Sequence, residues 1–272
     1  MPTTDLAGKP IAITGASSGI GRATAIAAAR AGMPVVLGAR RLDKLQEVAD
    51  QIAAQGGRAV AHAVDVDDPE SSAAFVRRGI EAFGGLYSVF ANAGYGLEGS
   101  VQHVTDEQLR AIIQTNFWGT LNVIRPALPH FLERRQGHVL ICSSCVSKVG
   151  LPLHSAYSLT KAMQDHVGRA MRIELLGTGV HVSTVHPIGT LTEFSARTAD
   201  RSGGSRKALR TPKSMMQTPE LVADRIVSCL RKPIGEVWTS TKMRLSLGLL
   251  TAFPSVGDWY LARRLRRSAE QE

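Results

Sequence analysis

The sequence predicts an α/β fold, a mostly parallel sheet with helices packed on both faces. Three observations carry that prediction. Short apolar runs alternate with helix-length segments from Lys9 to about Trp238. Runs such as Val35-Val36-Leu37 and Val139-Leu140-Ile141 are apolar without a break, which suits strands covered on both faces. At the N-terminus a strand, a glycine-rich loop and an alanine-rich helix follow one another directly. With 272 residues, 44% hydrophobic and 20% charged, the chain has an ordinary globular composition, and residues 1–272 read as one domain.

Lys9 to Thr14 is the first strand. It runs into Gly15-Ala16-Ser17-Ser18-Gly19-Ile20-Gly21 and then a helix over Arg22–Arg30. Glycines permit a tight turn and a close approach of a pyrophosphate, and the helix N-terminus supplies unpaired N–H groups. Gly15, Ser17, Ser18, Gly19, Ile20 and Gly21 are therefore candidate dinucleotide contacts. Pro34–Ala39 is the second strand. An acidic residue at its end would accept from the ribose 2′-hydroxyl of NAD; here Arg40-Arg41 stands, and an arginine can fork onto a 2′-phosphate. This favours NADP(H), with Arg40 as the phosphate ligand and NAD(H) as the alternative. Asp43–Gln55 is an amphipathic helix stopped by Gly56-Gly57. Ala59–Val64 is the third strand, ending at Asp65-Val66, where Asp65 either accepts from an adenine amino group or starts the turn before Pro69. Pro69–Phe83 is a helix, and Leu86–Ala91 the fourth strand, ending in Asn92-Ala93-Gly94, a tight turn at the crevice floor. Thr105, with Gln108 completing a capping box, opens a long helix that runs toward Arg135 and contains Asn116. His138–Cys142 is the fifth strand, Ser155 caps a helix reaching Leu176, and Val180–His186 is the sixth strand.

Chemistry concentrates between Ser143 and Lys161. Tyr157 and Lys161 are four residues apart, so they share a helix face, and an ammonium beside a phenol favours the phenolate. Ser144, at a strand's carboxyl end, can converge with Tyr157 on one substrate oxygen. Cys142-x-x-Cys145 straddles the strand end and no second pair completes a metal site, so no metal is expected. Three cysteines argue against a disulfide framework; with no secretory signal in Met1–Asp5, a reducing, cytoplasmic setting is expected. The net charge of +9 is concentrated late, in Arg197, Arg201, Arg206, Lys207, Arg210 and Lys213, then Arg263, Arg264, Arg266 and Arg267. No aromatic residues interleave a basic patch, so no nucleic acid is expected as partner.

The glycine loop, Asn92-Ala93-Gly94, Asn116, Ser144 and Tyr157-x-x-x-Lys161 stand in the order and spacing of one family. The chain resembles the short-chain dehydrogenase/reductases over roughly residues 8–192, and more loosely up to Trp238. The resemblance implies a doubly wound Rossmann fold with a seventh strand. It implies an NADP(H)-dependent oxidoreductase interconverting a carbonyl and a secondary alcohol by hydride transfer. The alternatives are an NAD(H)-dependent alcohol or hydroxysteroid-type dehydrogenase, and a dinucleotide-binding regulator without turnover. By resemblance, Tyr157 is the general acid and base, Lys161 lowers its pKa and binds the nicotinamide ribose, and Ser144 bonds the substrate carbonyl. Asn116 would anchor a water in a proton relay to Lys161. Asp65, Val66, Asn92, Ala93, Gly94, Pro187 and Thr192 match cofactor-contact positions. One departure is Ile188, where the family usually has glycine after the proline; another is Ser17-Ser18, where some members carry a basic residue.

Residues 190–217 fall where the family has its substrate lid, and the basic residues there could favour an anionic substrate. Gly94, Tyr95, Val146, His154 and Phe194 suggest a partly apolar cavity for a small carbonyl or alcohol. Residues 240–272 form a C-terminal extension in which the apolar run Leu245–Ala252 precedes Trp259, Tyr260 and four arginines. Its readings, in order, are a contact in a homo-dimer or homo-tetramer, a cover on the pocket, and a peripheral membrane foot.

Overall fold

The computed structural model describes residues 3–202 and 212–269. Its strands are β1 (Ile11–Thr14), β2 (Val35–Ala39), β3 (Ala59–Ala63), β4 (Ser88–Ala91), β5 (Gly137–Cys142), β6 (Val180–His186) and β7 (Glu236–Trp238). Its helices are α1 (Gly19–Arg30), α2 (Leu42–Ala54), α3 (Pro69–Phe83), α4 (Asp106–Ile113), α5 (Gly119–Glu133), α6 (Ser155–Glu174), α7 (Phe194–Arg201), α8 (Pro219–Arg231), α9 (Thr241–Ala252) and α10 (Pro254–Ala269). The seven strands pair in parallel, in the order β3-β2-β1-β4-β5-β6-β7. This is the doubly wound arrangement that the alternation predicts.

Strand residues alternate between two apolar cores. Ile11 and Ile13 join Leu37, Leu45, Ile52 and Ile226 on one face, whereas Ala12 joins Val36, Phe75, Ile124 and Phe131 on the other. Both faces are dry because helices cover both. The chain leaves β1 toward β2 on one side and returns to β4 on the other, so the carboxyl ends of β1 and β4 flank a crevice.

Local chemistry explains the elements the sequence marks most clearly. In α3 the Asp68 carboxylate accepts from Glu70 N, Pro69 fills the first turn, and Gly84 closes the helix at φ 71°. At α4 the Thr105 and Gln108 side chains make both bonds of the capping box. Two expectations need correction. Ser155 does not cap its helix; it is the first helical residue, and His154 stands before it without a side-chain cap. The long helix expected from Thr105 to Arg135 is broken by a π-turn at Gln114–Trp118. There the carbonyl of Asn116 is claimed by Thr120 Oγ1 and Gln164 Nε2, each at 2.7 Å, which draws it away from the regular ladder.

His138 sits fully buried in β5 with Nε2 2.8 Å from Ser183 Oγ. Burial holds its pKa down at about 3, and His181 pushes the same way. The neutral ring therefore stabilises the fold fully above the free value of about 6.5, and that contribution is lost as pH falls toward about 3. A His138→Gln variant is expected to remove up to about 1.4 kcal/mol per pH unit from the slope of stability against pH below about 6.5. Urea unfolding at pH 7 and pH 5 measures it, and an unchanged slope would contradict the assignment.

Candidate active site

The carboxyl ends of β1, β4, β5 and β6 open onto one cavity of about 1030 Å³. Its upper wall is the loop after β1. Gly15 takes φ 67°, and a Cβ there would lie 2.8 Å from Asn92 Nδ2. A Cβ on Gly21 would collide with the Gly15 carbonyl, so only glycine lets α1 begin directly beneath the loop. Gly15, Ser17, Ser18, Gly19 and Ile20 line the cavity, while Gly21 is buried behind it. Ser18 makes no side-chain cap and no acidic residue stands in the first turn of α1, so the N–H groups there are left for an anion. A cradle closed to side chains and rich in N–H donors fits a pyrophosphate.

Asn92 ties the two sides of the crevice together. Its Nδ2 donates to Thr14 O at 3.0 Å, and its backbone N–H donates to Thr14 Oγ1 at 3.1 Å. Ala93, Gly94, Asp65, Val66, Pro187 and Thr192 also line the cavity. Asp65 lines the cavity, and its Oδ1 accepts from Asp67 N at 3.1 Å in the turn before α3. Arg40 is exposed at the rim and makes no side-chain bond among the described residues. Its neighbour Arg41 reaches back to Ser17 Oγ at 3.2 Å and lies 3.7 Å from Glu193. Ile188 places a buried side chain in the wall, and Thr192 packs its methyl group against Gly19.

The floor is built by β5 and α6. Ser143 Oγ donates to Lys161 O at 2.9 Å and so locks the end of β5 to α6. Ser144 then stands in the floor with Tyr157 and Lys161. The Lys161 ammonium lies 5.6 Å from the centre of the Tyr157 ring and donates to Cys142 O at 2.7 Å and to Gln164 Oε1 at 2.8 Å. Phe194 from α7 covers the Tyr157 ring with centroids 5.5 Å apart.

The electrostatics bear on one expectation. Burial pushes the Tyr157 phenol well above its ordinary value; the Cys142 thiol adds to this, and the Ser144 hydroxyl opposes it. Burial also pushes Lys161 down. In the side chains alone, burial opposes the lowering expected from Lys161, whose ammonium is turned toward Cys142 O and Gln164. A protonated phenol is the form that donates a proton. Burial likewise raises the thiols, Cys145 to about 11, which leaves them poor nucleophiles.

Asn116 does not line the cavity. It is fully buried behind it, with Oδ1 accepting from Tyr95 N at 2.9 Å and Nδ2 donating to Tyr95 O and Thr160 Oγ1. It thus fixes the Gly94-Tyr95 wall against α6. Its backbone carbonyl is linked to Lys161 through the Gln164 side chain. The floor also rests on a charge cluster. Lys148 Nζ donates to Asp165 at 2.6 Å and to Glu236 at 3.0 Å. His186 stacks on Trp238 at 4.6 Å, and its Nδ1 lies 3.2 Å from Ser144 O. Among the described residues, Asp165, His186 and Glu236 have the geometry of a metal-ligand set, but the Lys148 ammonium already pairs with both carboxylates.

Sequence reasoning missed Gln164 and the Lys148 cluster. Gln164 could have been found, since it lies three residues from Lys161 on the same helix. The cluster could not, because its members come from four separate elements. No residue of 241–269 lines the cavity, so the reading of the C-terminal extension as a pocket cover is withdrawn. Gly203, Gly204, Arg206, Lys207 and Arg210 of the expected basic lid lie outside the described residues.

Fold and floor together define a class: α/β oxidoreductases that act on CH–OH groups with NAD(P). Comparison with known proteins agrees. A family model described as short chain dehydrogenase matches residues 9–202. An uncharacterized oxidoreductase of Listeria innocua is 31% identical over 227 residues, covering 83% of this chain and 91% of its own. Glycine betaine reductase ATRR of Emericella nidulans is 32% identical over 233 residues, but the chain spans only 18% of that longer protein. Among solved structures, an alcohol dehydrogenase of Thermococcus sibiricus complexed with 5-hydroxy-NADP superposes with a TM-score of 0.73 at 30% identity, covering 85% of this chain and 95% of that one. A family member from Burkholderia phymatum in complex with NAD superposes with a TM-score of 0.83 at 21% identity, covering 93% and 96%, and supports the fold alone. The chain belongs to the short-chain dehydrogenase/reductase family.

Proposed function

We propose that the protein is an NADP(H)-dependent oxidoreductase that interconverts a carbonyl and a secondary alcohol. The observation that carries this reading is the meeting of Ser144, Tyr157 and Lys161 on the cavity floor beside the glycine loop. The nicotinamide, when bound, supplies or accepts the hydride. Gly15, Ser17, Ser18, Gly19 and Ile20 hold the pyrophosphate, Asp65 and Val66 the adenine, and Asn92, Ala93, Gly94, Lys161, Pro187 and Thr192 the nicotinamide half. Ser144 and Tyr157 donate to the substrate oxygen, where negative charge grows as the carbonyl is reduced. Tyr157 moves the proton, and the Lys161 ammonium stabilises the phenolate that remains. A screen of ketones and aldehydes with NADPH and NADH tests the reading. Carbonyl-dependent oxidation of NADPH is expected, and no turnover with either cofactor overturns it.

Arg40 supports the choice of NADP(H), because it stands at the end of β2 with its guanidinium uncommitted among the described residues. Arg41 is partly neutralised by Glu193. The name of the Thermococcus structure, with its NADP analogue, points the same way. Losing one charge-assisted fork costs about 1.5–3 kcal/mol, so Arg40→Ala is expected to raise the KM for NADPH roughly 10- to 100-fold and leave that for NADH within about twofold. Steady-state kinetics with both cofactors measures this, and equal effects on the two would remove Arg40 from the role.

The substrate is a small molecule with apolar bulk, given Tyr95, Val146 and Phe194 in the wall. Residues 190–217 act as its lid; Glu98 N donates to Ser202 Oγ at 2.8 Å, which ties the lid to the opposite wall. Residues 1–272 work as one domain in the cytoplasm, and no helix among the described residues is long and apolar enough to cross a membrane. Leu245, Leu249, Val256 and Trp259 are exposed on α9 and α10, with Phe253 exposed between them. We take this face as the contact of a homo-dimer or homo-tetramer.

A further inference from the structure

We propose that Gln164 is the positioning residue of this site: its amide holds the Lys161 ammonium under Tyr157 and ties it to the backbone carbonyl of Asn116. The proposal rests on the oxidoreductase reading and assigns a role to a residue outside the Tyr-x-x-x-Lys pair.

Lys161 and Gln164 are three residues apart on α6 and face the same side. Gln164 Oε1 accepts from Lys161 Nζ at 2.8 Å. Its Nε2 donates to Asn116 O and to Thr120 Oγ1, both at 2.7 Å. Thr120 Oγ1 gives its own proton to Asn116 O at 2.7 Å, so it must accept from Gln164. These partners fix the amide's orientation. An ammonium can only donate and a backbone carbonyl can only accept, so a flipped amide would break the bonds to Lys161 and to Asn116 O. Gln164 and Asn116 are fully buried, and Thr120 and Lys161 nearly so. The space between Lys161 and the π-turn is therefore filled by a side chain with a single allowed orientation. An amide has no readily titrated proton, so this bridge fixes a charge without relaying protons.

The titratable groups facing Lys161 are Tyr157 on its own helix and Cys142 at the end of β5; the π-turn and α5 present the uncharged Asn116 and Thr120. Burial disfavours the ammonium, and the two carbonyl acceptors, Cys142 O and Gln164 Oε1, oppose that effect. Removing one acceptor weakens the charged form, and replacing it with a carboxylate strengthens it.

The test compares Gln164→Met and Gln164→Glu with the native protein in two readouts. One is the pH dependence of kcat/KM. The other is the 13C NMR titration of Lys161 in cofactor-free protein labelled with 13C-lysine, assigned by loss of its signal in Lys161→Met. Gln164→Met should move the Lys161 titration and the alkaline limb of the profile down by about one pH unit or more, and Gln164→Glu should move both upward. A structural filler would lower stability in both variants without moving either titration, and that result overturns the proposal. Should the methionine variant not fold, the direction of the shift in Gln164→Glu decides alone. Because the NMR titration needs no turnover, an inactive native protein would sink the oxidoreductase reading and leave this test intact.

Discussion

Tyr157→Phe should abolish most turnover while leaving the protein folded and able to bind its cofactor. The substitution removes one hydroxyl and keeps the ring that packs against Phe194. General acid catalysis by a placed side chain contributes about 10²- to 10⁴-fold, so kcat should fall by at least about 10²-fold. Burial raises the half-buried Tyr157 phenol, and Ser144 beside it cannot replace its proton because an aliphatic hydroxyl is far less acidic. Cofactor affinity should stay within about twofold, since the glycine loop and Lys161 are untouched. Steady-state kinetics and cofactor titration of the same preparation measure both. A variant that keeps kcat within about tenfold would mean that another group moves the proton, and the proposed mechanism would fail.

Lys148→Met is expected to be the most destabilising single change near the site. Asp165 is 1% exposed, and Lys148 and Glu236 are 16% and 18% exposed. Removing the ammonium leaves two carboxylates facing each other, one of them fully buried. Breaking a buried pair from one side costs about 3–5 kcal/mol, a large part of a typical stability of about 5–15 kcal/mol. Tm should fall by roughly 6–20 °C for a chain of this size. Burial would raise the Glu236 carboxyl, but the Trp238 indole and the Lys148 ammonium outweigh it and bring it down to about 2. Its contribution is therefore complete above about pH 4.5 and lost as pH falls toward about 2. Lys148→Met should flatten that acid limb as well as lower Tm. Adding Asp165→Asn should recover part of the loss, because the stranded charge goes with it. A Tm drop of under about 2 °C in the single variant would show that the cluster is dispensable.

Legibility in the sequence tracked the range of the interaction. The bounds of α3 and β6 follow from signals within a few residues: an Asp68 cap, a Pro69 start, a Gly84 stop, an unbroken apolar run. The glycine loop and the Tyr157–Lys161 face are equally local, and the structure brings both to one cavity. Asn116 was read as part of a regular helix because nothing nearby reveals that Gln164, far along the chain, will claim its carbonyl. Ser155 looked like a cap because serine favours that place; the turn through Leu151 and His154 put the helix start one residue earlier. The shift at Tyr157 depends on its surroundings for a related reason. Spacing says which residues are neighbours, whereas burial and the direction of an ammonium depend on everything packed around them.

The amino-acid order alone determined the α/β class, the place of the dinucleotide loop, and the pairing of Tyr157 with Lys161, because each arises from contacts between residues close in the chain. Tertiary structure alone decided that Gln164 backs the lysine, that Lys148 bridges Asp165 and Glu236, and that burial acts on the phenol. Those outcomes depend on how four elements distant in sequence exclude water from a shared interior, and exclusion of water belongs to the packed assembly rather than to any one segment.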